Sequence, residues 1–85
     1  MSNALSASDE ARLTEIFRTI LEKPNLQLVD TLTAPQVPGW DSFNHVNLVM
    51  EVEEVFGVRF TTEEIASLAN VGEFKKLIAS KLPDR

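Results

Sequence analysis

Asp41, Ser42 and His45 are the side chains whose types invite chemistry, and they stand close together in the run Gly39-Trp40-Asp41-Ser42-Phe43-Asn44-His45. A carboxylate, a hydroxyl and an imidazole are the parts of a hydrolytic triad. A working triad needs the carboxylate to orient the histidine while the histidine meets the serine, with oxyanion donors nearby. Asp41 and Ser42 are adjacent residues at the start of a helix, and no Gly-x-Ser-x-Gly elbow is present. His45 reads instead as a partly buried helix residue near a loop. As the sole histidine of a chain without cysteine it makes no metal site, and no Asp-x-Asp-x-Asp-Gly loop suggests calcium. Two readings of Ser42 remain. It or Asp41 merely caps the helix, or the hydroxyl carries a covalent group, for which a serine at the mouth of an amphipathic helix is well placed.

The helix that holds it is bracketed by its own signals. Asn44 to Phe56 contains no Gly or Pro, Gly57 follows where a left-handed C-cap is wanted, and Asp41 or Ser42 offers an N-cap oxygen, so a helix is predicted over 42–56. With Ser42 at zero and about 100° per residue, Leu48, Val49, Val52, Val55 and Phe56 fall within roughly 220° to 340° and form the core face. Phe43, Val46 and Met50 fall between about 40° and 100°, on the side of Ser42, Glu53 and Glu54. This second apolar stripe, rimmed with acid, is surplus to a small core and is a candidate docking surface, with a plain core position the alternative for Met50. Glu51, Glu53 and Glu54 are by default a solvated face.

The flanking segments supply the mount. Residues 1–7 are predicted to fray, and Ser8 to cap a helix over about 9–22 whose first turn holds Asp9 and Glu10. Leu13, Ile16, Phe17, Ile20 and Leu21 recur at helical spacing; burying them is worth on the order of 10 kcal/mol, at roughly 2 each, before chain entropy. Pro24 ends this helix. The long connection that follows is predicted to be ordered, anchored by Leu26, Leu28, Val29 and Leu32 and stiffened by Pro35 and Pro38, with Trp40 anchoring its end. Val58 and Phe60 read as core plugs. Thr61 with Glu64 has capping-box spacing and predicts a short helix over about 62–68; Asn70 with Glu73 repeats the logic before a helix over about 71–82 striped by Val71, Phe74, Leu77 and Ile78. The expected fold is all-α, a small irregular four-helix bundle of three principal helices and one short one, in a single domain over 1–85.

Composition bounds the function. Thirteen acids against eight bases give a net charge of −5, which repels a phosphate backbone and argues against nucleic acid as a partner. Zero cysteines exclude a disulfide framework and fit a reducing compartment. No apolar run approaches membrane-spanning length and no signal-peptide pattern opens the chain, so a cytoplasmic monomer without membrane insertion is expected.

Asp41-Ser42-Phe43, followed by Val46-Asn47-Leu48-Val49-Met50 and Glu53-Glu54-Val55-Phe56-Gly57, resembles the acyl carrier proteins and related thiolation domains, with their Asp-Ser-Leu motif and Val-Glu-Leu-Val run. The resemblance extends over about residues 9–82. It implies that Ser42, flanked by Asp41 and Phe43, carries 4′-phosphopantetheine taken from coenzyme A. It implies a carrier of covalently bound intermediates rather than an enzyme. The implied partners are a phosphopantetheinyl transferase and acyl-loading, acyl-transfer or condensing enzymes with basic patches, met by Phe43, Val46, Met50, Glu53 and Glu54. Phe43 stands where the family has Leu and Asn47 where it has Glu; both departures lie where partners touch, so they bear on which partners dock. The Pro-Gly-Trp-Asp-Ser approach looks more like discrete carriers of specialised pathways than like the housekeeping fatty-acid carrier. The cargo stays open among fatty acyl, polyketide, aminoacyl (peptidyl) and other acyl groups, and a cofactor-free helical interaction module using the same stripe stands as the other class.

Overall fold

The computed structural model describes residues 5–82. Its four α-helices are α1 (Ala7–Leu21), α2 (Ser42–Phe56), α3 (Thr62–Ala66) and α4 (Val71–Lys81), with a 3₁₀ turn at Ala34–Gln36 and no strand among the described residues. The all-α expectation holds. Among the described residues no helix is long and apolar enough to cross a membrane.

The first helix begins earlier than its sequence suggests. Ser6, not Ser8, is the N-cap: its hydroxyl accepts from the Asp9 N–H at 3.2 Å, which places Asp9 and Glu10 in the first turn. Two serines two residues apart are equivalent on capping chemistry alone. Leu5 decides between them, because it is buried in the core and draws the chain in before Ser6. Fraying is therefore wrong for 5–7, and residues 1–4 lie outside the described part. At the other end Glu22 takes a left-handed conformation, φ 56°, and Lys23 N–H bonds back to the Arg18 carbonyl.

The later helices follow their caps closely and end sooner than the periodicity implies. Thr61 and Glu64 form the reciprocal capping box, with N–H to side-chain distances of 2.8 and 3.1 Å. Ser67 then ends α3, its N–H drawn to the Glu63 and Glu64 carbonyls and its hydroxyl to Glu64 O. The Thr61 backbone first, and then Lys81 at 2.9 Å, hold the Glu64 carboxyl below its ordinary value. That support is present above the ordinary carboxylate pKa and fades as pH falls through the lowered one. Asn70 caps α4 through the Glu73 N–H, and Leu82, extended because proline follows it, lies just outside.

Phe17, Phe74, Leu13, Leu48, Ile78, Val52 and Val71 are the large side chains sealed in the interior. Phe17 is the hub, edge-on to Trp40 with ring centres 5.2 Å apart and to Phe74 at 5.9 Å, and Phe60 continues the chain of rings against Phe74 at 6.0 Å.

The connection from α1 to α2 is ordered because helices bond to its carbonyls. Arg18 Nε donates to Leu26 O, Val71 N–H to Leu32 O and Gly72 N–H to Asp30 O. A Cβ on Gly72 would meet Asp30 at 3.1 Å, a tight contact that a larger residue makes only if Asp30 gives by a few tenths of an ångström. Lys75 Nζ gathers Leu28 O, Asp30 and Glu10 within 3.1 to 3.2 Å. Burial opposes its charge, the bonds to Asp30 and Glu10 outweigh burial, and its pKa ends above the usual lysine value. The lysine's contribution to this tie is complete at neutral pH and is lost as pH climbs through that raised value. Leu26, Leu28 and Leu32 pack against the core as anchors, whereas Val29, 54% exposed, does not. The loop turns between Gln27 and Leu32, and the turn carries Val29 outward.

Candidate functional site

The approach to Ser42 is fastened on both flanks. Val37 and Trp40 are buried, and Gly39 between them has φ 93°, a left-handed conformation that lets the chain turn between the two anchors. On one flank Asn44 Nδ2 donates to the Gly39 carbonyl at 2.7 Å, and Asn47 Nδ2 donates to Asn44 Oδ1 at 3.2 Å. On the other, Trp40 Nε1–H donates to His45 Nδ1 at 3.1 Å, with the two rings near parallel at 23°. Residues 44 and 45, in the first turn of α2, thus hold the two residues that precede Asp41.

The cap is Asp41. Its Oδ1 accepts from the Asn44 N–H at 2.9 Å, and its carbonyl receives the first helical bond from His45. Ser42 is therefore the first helical residue, exposed, and its hydroxyl bonds to no described residue. The three residues of a nominal triad are not wired as one: the Asp41 Oδ1 is spent on the helix start, and His45 Nδ1 accepts from the indole instead of donating to a carboxylate.

Beside Ser42 an open, mainly apolar cleft of about 610 Å³ runs between the start of α2, the 3₁₀ turn and α3. Trp40, Asp41, His45 and Val46 line it from the loop and α2, and Ile65 and Leu68 face them. Ser42 lies on its rim with a path to solvent.

No family model matches the chain, and no curated protein does. Among solved structures it is similar to the holo acyl carrier protein from Geobacter metallireducens, determined in solution by NMR: the TM-score is 0.79 and the identity 31%, over 84% of this chain and 82% of that one. The chain belongs to the acyl carrier protein family. As a member of that family it is a carrier protein, and the bundle geometry is the family's.

In this acyl carrier protein the second stripe of α2 faces solvent. Phe43 is 75% exposed, Met50 61% and Val46 51%, so Met50 is not a core residue. Glu54 is exposed beside them, and Met50 and Glu54 also border a smaller depression of about 460 Å³ reaching Ile20 of α1. Glu53 differs. It is half-buried, and its Oε2 accepts from the Phe60 N–H at 2.8 Å, tying α2 to the segment that follows it. Sequence reasoning treated Glu53 and Glu54 as equivalent; a bond across the Gly57 turn has no signature in helical spacing. Asn44 was missed for the same reason, since a loop carbonyl as its partner exists only once the loop has folded back.

Proposed function

We propose that this carrier holds an acyl intermediate on a 4′-phosphopantetheine arm attached to Ser42, and passes it between the enzymes of a fatty-acid, polyketide or other specialised pathway. The observation that supports this reading most is the Ser42 hydroxyl itself: exposed, released from capping by Asp41, and standing on a cleft. The site suits the group. The first N–H groups of α2 point outward at the positive end of a 15-residue helix, where a phosphodiester is favoured, and the cleft offers apolar surface to an arm. Within a phosphopantetheinyl transferase the Ser42 oxygen attacks the pyrophosphate of coenzyme A, gives up its proton, and displaces adenosine bisphosphate. When bound, the arm supplies a thiol that holds the acyl group as a thioester. This chain's own residues fix the approach, present the hydroxyl and dock the partner.

Zero cysteines make the test free of background. Incubated with coenzyme A and a broad-specificity transferase, the protein is expected to gain one reactive thiol per chain. A thiol titre that stays at zero removes the carrier-arm reading and leaves the cofactor-free interaction module.

Docking belongs, on this reading, to Phe43, Val46 and Met50 with an acidic rim at Glu54, meeting a partner patch rich in Lys or Arg. Glu54→Lys is expected to slow loading by the transferase a few-fold at low salt, with the difference closing above ~0.15 M salt, where the Debye length is about 8 Å, and the melting temperature unchanged. Glu53→Lys is expected to lower stability by about 1–3 kcal/mol, because the Phe60 N–H loses its acceptor. Equal melting temperatures for the two variants, or a loading rate indifferent to Glu54, would remove this assignment.

A further inference from the structure

His45 is fixed more closely than a loop anchor requires. An indole nitrogen only donates, so the Trp40 bond makes His45 Nδ1 the acceptor and places the imidazole proton on Nε2. That Nε2–H has no partner among the described residues, and no buried side-chain nitrogen there lacks one, so Nε2 is open to solvent rather than sealed. His45 lines the same cleft as Ser42, three residues and about 4.5 Å of helix rise further on. Among the described residues, Asp41 is the one other titratable side chain lining that cleft, and it is an acid. A phosphodiester on Ser42 therefore sits next to a like charge, and the side chain in reach with a free donor and the capacity for positive charge is His45.

We propose that His45 is a positioning residue for the prosthetic arm: Trp40 fixes its tautomer, and its Nε2–H donates to the phosphodiester carried by Ser42. The inference rests on the carrier reading and assigns this chain's own histidine to the base of the arm. It also links modification to the loop, because an imidazolium formed beside the phosphodiester carries a proton on Nδ1 and can no longer accept from Trp40. The neutral ring thus serves both bonds at once, and protonation keeps the donor to the phosphodiester while releasing Trp40.

The test is the phosphorus-31 resonance of the holo protein between pH 5 and 8. A phosphodiester keeps its charge throughout, unlike a phosphomonoester with its second pKa of about 6, and His45 is the chain's one histidine. The resonance is expected to shift sigmoidally with pH, with the same midpoint as the Trp40 indole N–H resonance, and to be flat in holo His45→Gln. A histidine that only braces the loop moves the indole signal and leaves phosphorus flat in the wild type, which overturns the proposal. Because the wild type alone gives that outcome, the test survives a variant that folds poorly. A protein that acquires no phosphorus signal at all fails at the carrier reading instead, so the two failures are distinct.

Discussion

Ser42→Ala is expected to fold with its stability within about 0.5 kcal/mol of the wild type and to take up no phosphopantetheine. The two halves of that expectation have separate causes. Had Ser42 been the N-cap, its loss would cost about 1 kcal/mol. The cap is Asp41, whose oxygen meets the Asn44 N–H, and Ser42 lies inside the helix with an exposed hydroxyl that bonds to nothing described. Alanine is the better helix former at such a position, so the chain gains as much as it loses. Loading, by contrast, depends on one oxygen. The helix start, the Trp40 and Asn44 fastenings and the cleft all survive the substitution, so a loss of labelling reports the missing nucleophile and not a damaged fold. An unfolding free energy from denaturant titration that differs from the wild type by more than about 1 kcal/mol, or residual labelling, would contradict this description of the site.

Phe17→Ala is expected to cost about 3–5 kcal/mol. Phe17 is fully sealed and meets Trp40 and Phe74 edge-on. Losing the ring removes its transfer free energy, leaves a cavity that neighbours on two helices and a loop close only in part, and ends two aromatic contacts worth about 0.5–1.5 kcal/mol each beyond area. At roughly 0.05–0.15 kcal/mol per residue a domain this small has only about 4–13 kcal/mol in total. The substitution therefore removes between about a quarter and all of the folding free energy. Its effect also reaches the site, since Trp40 loses the surface it rests on and, with it, the constraint on the chain just before Ser42. Urea unfolding measures the loss directly, and a cost below about 1 kcal/mol would show that the ring is not the hub of this core.

Much of this was legible in the residues because local signals agreed with one another. A helix over 42–56 followed from an uninterrupted stretch between a capping aspartate and Gly57, and the structure ends it where the glycine turns left-handed. Thr61 with Glu64 and Asn70 with Glu73 marked the next two helix starts for the same reason. The surplus stripe of Phe43, Val46 and Met50 was readable from angles alone, since a helix with apolar residues on two faces has only one core to fill. What stayed hidden depends on long-range placement. The start of α1 turned on Leu5 entering the core, which capping chemistry does not encode. Val29 has an anchor's side chain but sits on an outward turn. The bonds from Trp40 to His45, Asn44 to Gly39 and Glu53 to Phe60 join groups whose meeting requires the loop and the Gly57 turn to be in place first.

The chain has six serines, at positions 2, 6, 8, 42, 67 and 80, and the account rests on one of them. The most direct measurement is fragmentation mass spectrometry of the protein after treatment with coenzyme A and a phosphopantetheinyl transferase. The adduct is expected on Ser42 and nowhere else; an adduct on any other residue would contradict the assignment of the carrier site.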